Sequence, residues 1–230
     1  MDEAQFDRFA DEYEALQAAS VRVSGEGPEY FWRYKVVDLA RICAESGVRP
    51  RAVLDFGAGV GNSVPYLREQ FPSAQITCLD VSRKSLSVGE RRFHGAADFA
   101  WFDGGRIPFN DATYDVAFVA CVLHHIAASE HVRLLGELRR VVRPGGMVMV
   151  YEHNPYNPVT RKVVRECAYD EGVTLIAADA LTLRFRAAGM PKPSMRYRVF
   201  FPRALAALRP MENALSWLPL GAQYYVYAHA

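Results

Sequence analysis

The chain has 230 residues, half of them hydrophobic. That suffices for one α/β domain with a large core and excludes a disordered chain. Basic and acidic residues nearly balance, 27 against 26, for a formal net charge of +1, so the composition lacks the basic footprint of a nucleic-acid binder.

Arg196, Arg198 and Arg203 form a local basic cluster, and its plain reading is a solvated face. The cysteines, Cys43, Cys78, Cys121 and Cys167, form no C-x-x-C pair. Neither a zinc knuckle nor a disulfide framework is expected. The N-terminus MDEAQFDRFADEYEAL is acidic and amphipathic, unlike a signal peptide. No apolar stretch approaches the roughly 20 residues that span a bilayer. The expectation is a soluble cytoplasmic protein, monomer or homodimer, with no nucleic-acid or membrane partner.

In chain order, Phe6, Phe9, Ala10, Tyr13 and Leu16 have helical spacing over 4–19, and a second helix fits 29–45. Residues 1–48 thus read as a helical arm. Ala52–Phe56 is a short apolar strand ending in glycines, followed by a helix over 63–70. Gln75–Asp80 is the second strand, and Ser82 can cap a helix over 83–93. Residues 97–102 form the third strand. The run 114–122 is long and apolar enough for a strand buried on both faces. A helix over 129–142 stops at Pro144-Gly145-Gly146, and 147–151 is the fifth strand. A proline-fixed loop leads into a helix at 159–169. A helix over 173–188 and strands at 195–200 and Gln223–His229 complete the pattern. Alternating strands and helices imply one mostly parallel sheet covered on both faces.

The strongest motif is Val53-Leu54-Asp55-Phe56-Gly57-Ala58-Gly59-Val60-Gly61-Asn62. A strand runs into alternate glycines and then a helix. Glycines allow a tight turn and close ligand approach, and the helix start offers unpaired N–H groups. This suits a nucleotide-like cofactor. The dinucleotide fingerprint G-x-G-x-x-G is not met, because the third glycine comes one position early. Asp55 is also a poor neighbour for a pyrophosphate. Asp80, ending the second strand, can accept hydrogen bonds from ribose hydroxyls of either cofactor type. Asp103 can accept from an adenine amino group or simply form an Asp-Gly turn.

The order D-x-G-x-G-x-G, LD, FDG-x-x-IPF, YD and L-R-R-V-V-R-P-G-G resembles the class I S-adenosylmethionine (SAM)-dependent methyltransferases of small molecules. The resemblance covers residues 50–152. It implies a three-layer sandwich around a seven-stranded sheet, six strands parallel and the last antiparallel. It implies one domain over 1–230, with 153–230 on the acceptor side. It places SAM against Tyr13, Asp55, Gly57, Gly59, Gly61, Asp80, Val81, Asp103, Gly104 and Cys121. In it Asp115 is structural. The implied activity is methyl transfer to a hydroxyl or amine, with S-adenosylhomocysteine as product.

Ligands of open α/β sheets bind beyond the carboxyl ends of the strands. His124 and His125 follow the fourth strand there, and Glu152 and His153 the fifth. His124, His125 and Glu152 are therefore the candidate bases, since imidazole takes a proton near neutral pH. No metal is expected, because adjacent histidines usually point apart. His153, Asn154, Tyr34, Lys35 and Arg196 are candidate acceptor contacts, with Phe31, Trp32, Tyr197 and Arg198 near the roof. Asn154-Pro155-Tyr156 resembles the N/D-P-P-Y motif of enzymes that methylate DNA bases, but follows the wrong strand. An NAD(P)-dependent oxidoreductase and a non-catalytic SAM-fold binding protein are the competing readings.

Overall fold

The computed structural model describes residues 13–230, except the side chains of 13–16 and of Tyr169. Phe6, Phe9 and Ala10 therefore lie outside the described residues, as do the side chains of Tyr13 and Leu16. The elements are α1 (Tyr13–Val21), α2 (Pro28–Glu45), β1 (Ala52–Phe56), α3 (Val64–Gln70), β2 (Gln75–Asp80), α4 (Arg83–Arg92), β3 (Asp98–Trp101) and β4 (Tyr114–Ala120). There follow α5 (His131–Val141), β5 (Val142–His153), α6 (Pro158–Glu166), α7 (Ala178–Ala187), β6 (Ser194–Arg198), α8 (Glu212–Leu215) and β7 (Gln223–His229). Short 3₁₀ turns lie between them, at Leu123–His125 and Ala168–Asp170 among others.

One sheet joins all seven strands in the order β3-β2-β1-β4-β5-β7-β6. Strands β3 to β5 pair in parallel, and β7 runs antiparallel between β5 and β6. β1 is buried along its whole length, as a central parallel strand must be. Its side chains alternate between two cores. Leu54 and Phe56 pack with Ala117, Val119 and the α5 and α7 residues Leu135 and Phe185. Val53 packs on the other face with Phe118 and the α2 and α3 residues Leu39 and Leu67. The chain order reverses between β1 and β4, which opens a crevice beyond their carboxyl ends.

Several boundaries differ from the sequence reading, each for a local reason. β4 ends at Ala120 rather than Val122, because Cys121 has a left-handed φ of 60° and turns the chain into Leu123–His125. β5 starts at Val142, five residues before the sequence pattern suggested. Pro144-Gly145-Gly146 lies inside it as an irregularity, and pairing jumps from Tyr114↔Val142 to Val116↔Met147. Gly146 is needed there, since a Cβ would sit 2.5 Å from the Asp115 carbonyl oxygen. α7 begins at Ala178, so 173–177 is not helical. The carbonyl of Ile176 there accepts the buried Tyr224 hydroxyl at 2.7 Å. β6 stops at Arg198, before Val199 with φ 63°.

Other local expectations hold. Ser82 caps α4 by accepting the Ser85 N–H at 3.0 Å. Asp115 accepts from the Arg51 and Ala52 N–H groups and pairs with Arg143 at 2.7 Å, a structural role.

Candidate active site

The turn after β1 is held by backbone. Gly57 and Ala58 donate to the Leu79 carbonyl at 2.8 and 3.3 Å. Asp80 accepts from Gly59 through one carboxylate oxygen, at 2.8 Å, and from Ser82 through the other, at 2.9 Å. Its carboxylate is thereby fixed at the turn. The three turn glycines serve different needs. A Cβ on Gly57 would meet Val122 at 2.5 Å, and one on Gly61 would press on Phe93 and Phe99 at 3.1 Å. A Cβ on Gly59 would meet nothing within 4 Å among the described residues, so on their account that side of the turn is an open cradle.

Asp55 is 2% exposed, with Oδ2 buried and without a hydrogen-bond partner among the described residues. Burial pushes its carboxyl up to about 7, with Ser63 opposing and Asp80 adding to the shift. An orphaned acceptor beside an open cradle fits the α-ammonium of a bound amino acid such as SAM's methionine part. The residues after β2 and β3 lie beside this turn. Val81 is buried, and its carbonyl accepts Trp101 Nε1 at 2.8 Å. Asp103 is exposed and accepts the Gly105 N–H at 2.8 Å, so it forms the Asp-Gly turn and one oxygen is already engaged.

From Asp55 and Gly57 a single cavity extends to Cys121, His124, His125 and His153. Aromatic and aliphatic side chains roof it: Phe31 and Trp32 of the arm, Val21 and Val23, and Val159 and Val163 of α6. Trp32 Nε1 donates to Gln17 at 3.0 Å, tying α2 to α1.

The polar wall is a linked set of ionisable groups. Glu152 is fully buried and accepts the Leu123 N–H at 2.8 Å. Its second oxygen lies 2.6 Å from His124 Nδ1. Asp170 Oδ1 lies 3.5 Å from His124 Nε2 and 3.4 Å from His125 Nε2. Burial lowers the His124 pKa, but the two carboxylates outweigh it and raise it to about 10. Burial and the charge on His124 push His125 down to about 4. Both carboxyls sit below the usual range, the histidine charges overcoming burial.

Cys121 forms the floor between the two ends. Lys35, 5% exposed, brings Nζ to 3.4 Å from its sulfur. Burial pushes the thiol up, yet Lys35 and His153 outweigh it and bring it down to about 7. Gln223 Nε2 stands 3.3 Å from His153 Nδ1.

Asp55, Gly57, Cys121, His124, His125, His153 and Lys35 thus converge as the sequence suggested. Others do not. Glu152 lies behind His124 rather than on the cavity wall, because Leu123 and His124 take up both its oxygens. Asn154 is fully buried; its amide donates to the Pro219 and Gly221 carbonyls and its oxygen accepts from Tyr156. It clamps a loop and does not reach the cavity. Tyr34 donates to Gln223 and packs edge-on against Tyr151, one layer behind the wall. Arg196 is exposed on the edge strand and bonds the Met195 carbonyl at 2.8 Å. Arg198 reaches Asp38 at 2.6 Å, and Tyr197 is buried in the core. The side chain of Tyr13 lies outside the described residues. Asp170 and Gln223 were missed: the first sits in a 3₁₀ turn with no motif, and the second opens a strand chosen for its apolar pattern.

A family model described as a methyltransferase domain matches residues 54–150. Over those residues, less than half of its length, the chain is similar to methyltransferase domains. A demethylmenaquinone methyltransferase from Thermotoga maritima is 33% identical over 152 residues, 66% of this chain and 61% of the relative. A ubiquinone/menaquinone biosynthesis C-methyltransferase, UbiE, from Desulfotalea psychrophila is 29% identical over 154 residues, 66% of this chain and 58% of the relative. The matched stretch spans less than two thirds of either relative. A solved structure from Thermotoga maritima, described as a possible histamine N-methyltransferase, shares the fold with a TM-score of 0.69 at 16% identity, covering 98% of both chains. No helix among the described residues is long and apolar enough to cross a membrane.

Proposed function

We propose that the chain transfers the methyl group of SAM to a small hydroxylated aromatic acceptor, at a ring carbon next to the hydroxyl. The carrying observation is the single cavity joining the Asp55–Gly57 end to the histidine wall. SAM supplies a methyl group already activated on a sulfonium. The chain's own residues hold the donor, align the acceptor and exclude water. Asp55 Oδ2 gains a partner in the donor's ammonium, Asp80 takes the ribose hydroxyls, and Gly59 leaves room for the chain of atoms between them. A dinucleotide pyrophosphate would instead face the orphaned Asp55 carboxylate, which counts against the NAD(P) reading.

The apolar roof of Phe31, Trp32, Val159 and Val163 suits a flat ring. The wall of His124, His125 and His153 receives its hydroxyl, and Glu152 positions His124 from behind. Loss of the hydroxyl proton to His125 or His153, His124 being already protonated between its carboxylates, makes the neighbouring ring carbon nucleophilic; after transfer, loss of that carbon's own hydrogen as a proton restores the aromatic ring. The curated relatives, named for C-methylation in quinone biosynthesis, support carbon over the hydroxyl or amine suggested by the sequence. Methylation of the hydroxyl itself is the second reading, because the same wall would activate that oxygen.

The test is incubation with SAM carrying a ¹³C methyl group and a panel of naphthoquinols, phenols and aryl amines. Product NMR is expected to show an aromatic C–CH₃ signal. Label on amines alone would overturn the proposal, and O–CH₃ alone would move it to the second reading.

A further inference from the structure

The left-handed turn at Cys121 feeds directly into the 3₁₀ turn Leu123–His125. In an extended strand His124 and His125 would face opposite sides. In this turn their ring centroids are 4.2 Å apart. Asp170, carried by Ala168–Asp170 after α6, brings one carboxylate oxygen to both rings, 3.5 Å from His124 Nε2 and 3.4 Å from His125 Nε2. The three side chains are 1%, 5% and 12% exposed. One donor atom from each lies within 4.8 Å of the other two.

These spacings discriminate between coordination geometries. Tetrahedral zinc with bonds of about 2.0–2.2 Å keeps its ligand atoms roughly 3.3–3.5 Å apart, whereas octahedral ligands at such bond lengths stand only about 3 Å apart. The two separations to Asp170 match the tetrahedral value, and the two imidazole donor atoms lie within 4.8 Å of each other. The surroundings match as well. Metal-bound imidazoles usually donate their other N–H to a carboxylate. Glu152 stands 2.6 Å from His124 Nδ1 and is itself held by the Leu123 N–H. The carboxylates of Asp170 and Glu152 together balance a divalent cation in this buried place.

We propose that His124, His125 and Asp170 form a Zn²⁺ site, with Glu152 orienting His124 and the fourth coordination position open to the acceptor cavity. All three ligands line that cavity, so the fourth ligand is water or an oxygen of the acceptor. The proposal goes beyond the methyl-transfer reading; a bound ion would occupy ring nitrogens of His124 and His125 and leave His153 of that wall to take the acceptor's proton.

The test is a titration of chelator-stripped full-length protein with Zn²⁺, against a chromophoric competitor. Wild type is expected to bind one ion per chain tightly. His125→Ala and Asp170→Asn are each expected to weaken binding by about 100-fold or more while keeping S-adenosylhomocysteine affinity; Glu152→Gln is expected to weaken it about tenfold. Co²⁺ loaded into wild type is expected to give the intense visible bands of a four-coordinate site. That readout stands even if a variant fails to fold. No saturable binding, equal binding by wild type and both ligand variants, or weak six-coordinate Co²⁺ bands would overturn the site. A near-ultraviolet thiolate-to-cobalt band would do so too, by placing the ion on a cysteine of the cavity, Cys121 or Cys167.

Discussion

The two ends of the cavity are built from different materials. The donor end comes from one continuous stretch, Asp55 to Asn62, with Asp80 beside it, and backbone N–H groups and absent side chains shape it. The acceptor end is assembled from side chains of distant segments: Lys35, Cys121, His124, His125, His153, Asp170 and Gln223. A backbone-built end accepts one kind of ligand and tolerates few changes. A side-chain-built end can be respecified one residue at a time. One fold can thus keep its methyl donor and change its acceptor.

Substitutions that separate the ends sharpen this contrast. The largest stability effect is expected behind the acceptor wall. Glu152→Gln removes the nearer of the two anions beside the buried His124 and should cost about 3 kcal/mol by chemical denaturation. A loss under roughly 0.5 kcal/mol would mean that the Glu152–His124 contact carries little.

At the donor end, Gly57→Ala combines a φ of 71° with a Cβ 2.5 Å from Val122, and should cost about 2 kcal/mol. Gly59→Ala has a φ of 55° but open space, and should cost about 1 kcal/mol. The order is expected to reverse for ligand binding, with Gly59→Ala losing more S-adenosylhomocysteine affinity because its methyl group enters the cradle. Equal losses in both assays would dissolve the distinction between packing and cradle glycines.

Asp55 links the donor end to pH. Its folded pKa of about 7 lies above the ordinary 3.8. Its contribution to stability is therefore fully present below about 4 and is lost as pH rises through about 7. Affinity should run the other way: the ionised carboxylate holds an ammonium better, so wild-type S-adenosylhomocysteine binding should strengthen as pH rises through about 7. Calorimetry from pH 5.5 to 8.5 should show that slope, and Asp55→Asn should flatten it. A flat wild-type profile would remove Asp55 from the ammonium site.

The smallest effect concerns the floor. Cys121 should be alkylated with an apparent pKa of about 7, and S-adenosylhomocysteine should slow the reaction. Lys35→Met should raise that pKa, as followed by mass spectrometry. An unchanged pKa would show that the ammonium at 3.4 Å does not tune the thiol.

The same contrast explains what the sequence made legible. The proposed donor end was readable because glycine spacing and a strand-end Asp80 are both local patterns. The sheet was readable because β1, β2 and β4 are apolar runs between clear turns. The acceptor end was legible only in part. His124, His125 and His153 follow strand ends, so topology alone points them at the crevice. Asp170 has no such marker; it joins the wall only because α6 and the following turn fold back over the cavity. The expectation that His124 and His125 point apart assumed an extended backbone, and one left-handed residue, Cys121, undoes that assumption. Arg196 and Asn154 looked available because composition gives no sign that the first lies on an outer edge and the second clamps 219–221.

The most direct test of the donor site is calorimetric titration of S-adenosylhomocysteine into wild type, Asp80→Ala and Asp103→Ala, with NADH as a control ligand. The expected result is binding to wild type and a loss of about 3 kcal/mol, roughly 100-fold, in Asp80→Ala, because two ribose contacts and the Gly59 anchor go together. Asp103→Ala should lose far less, since its exposed carboxylate already serves its own turn. Unchanged affinity in Asp80→Ala, or NADH binding in place of S-adenosylhomocysteine, would contradict the assignment of this end to SAM.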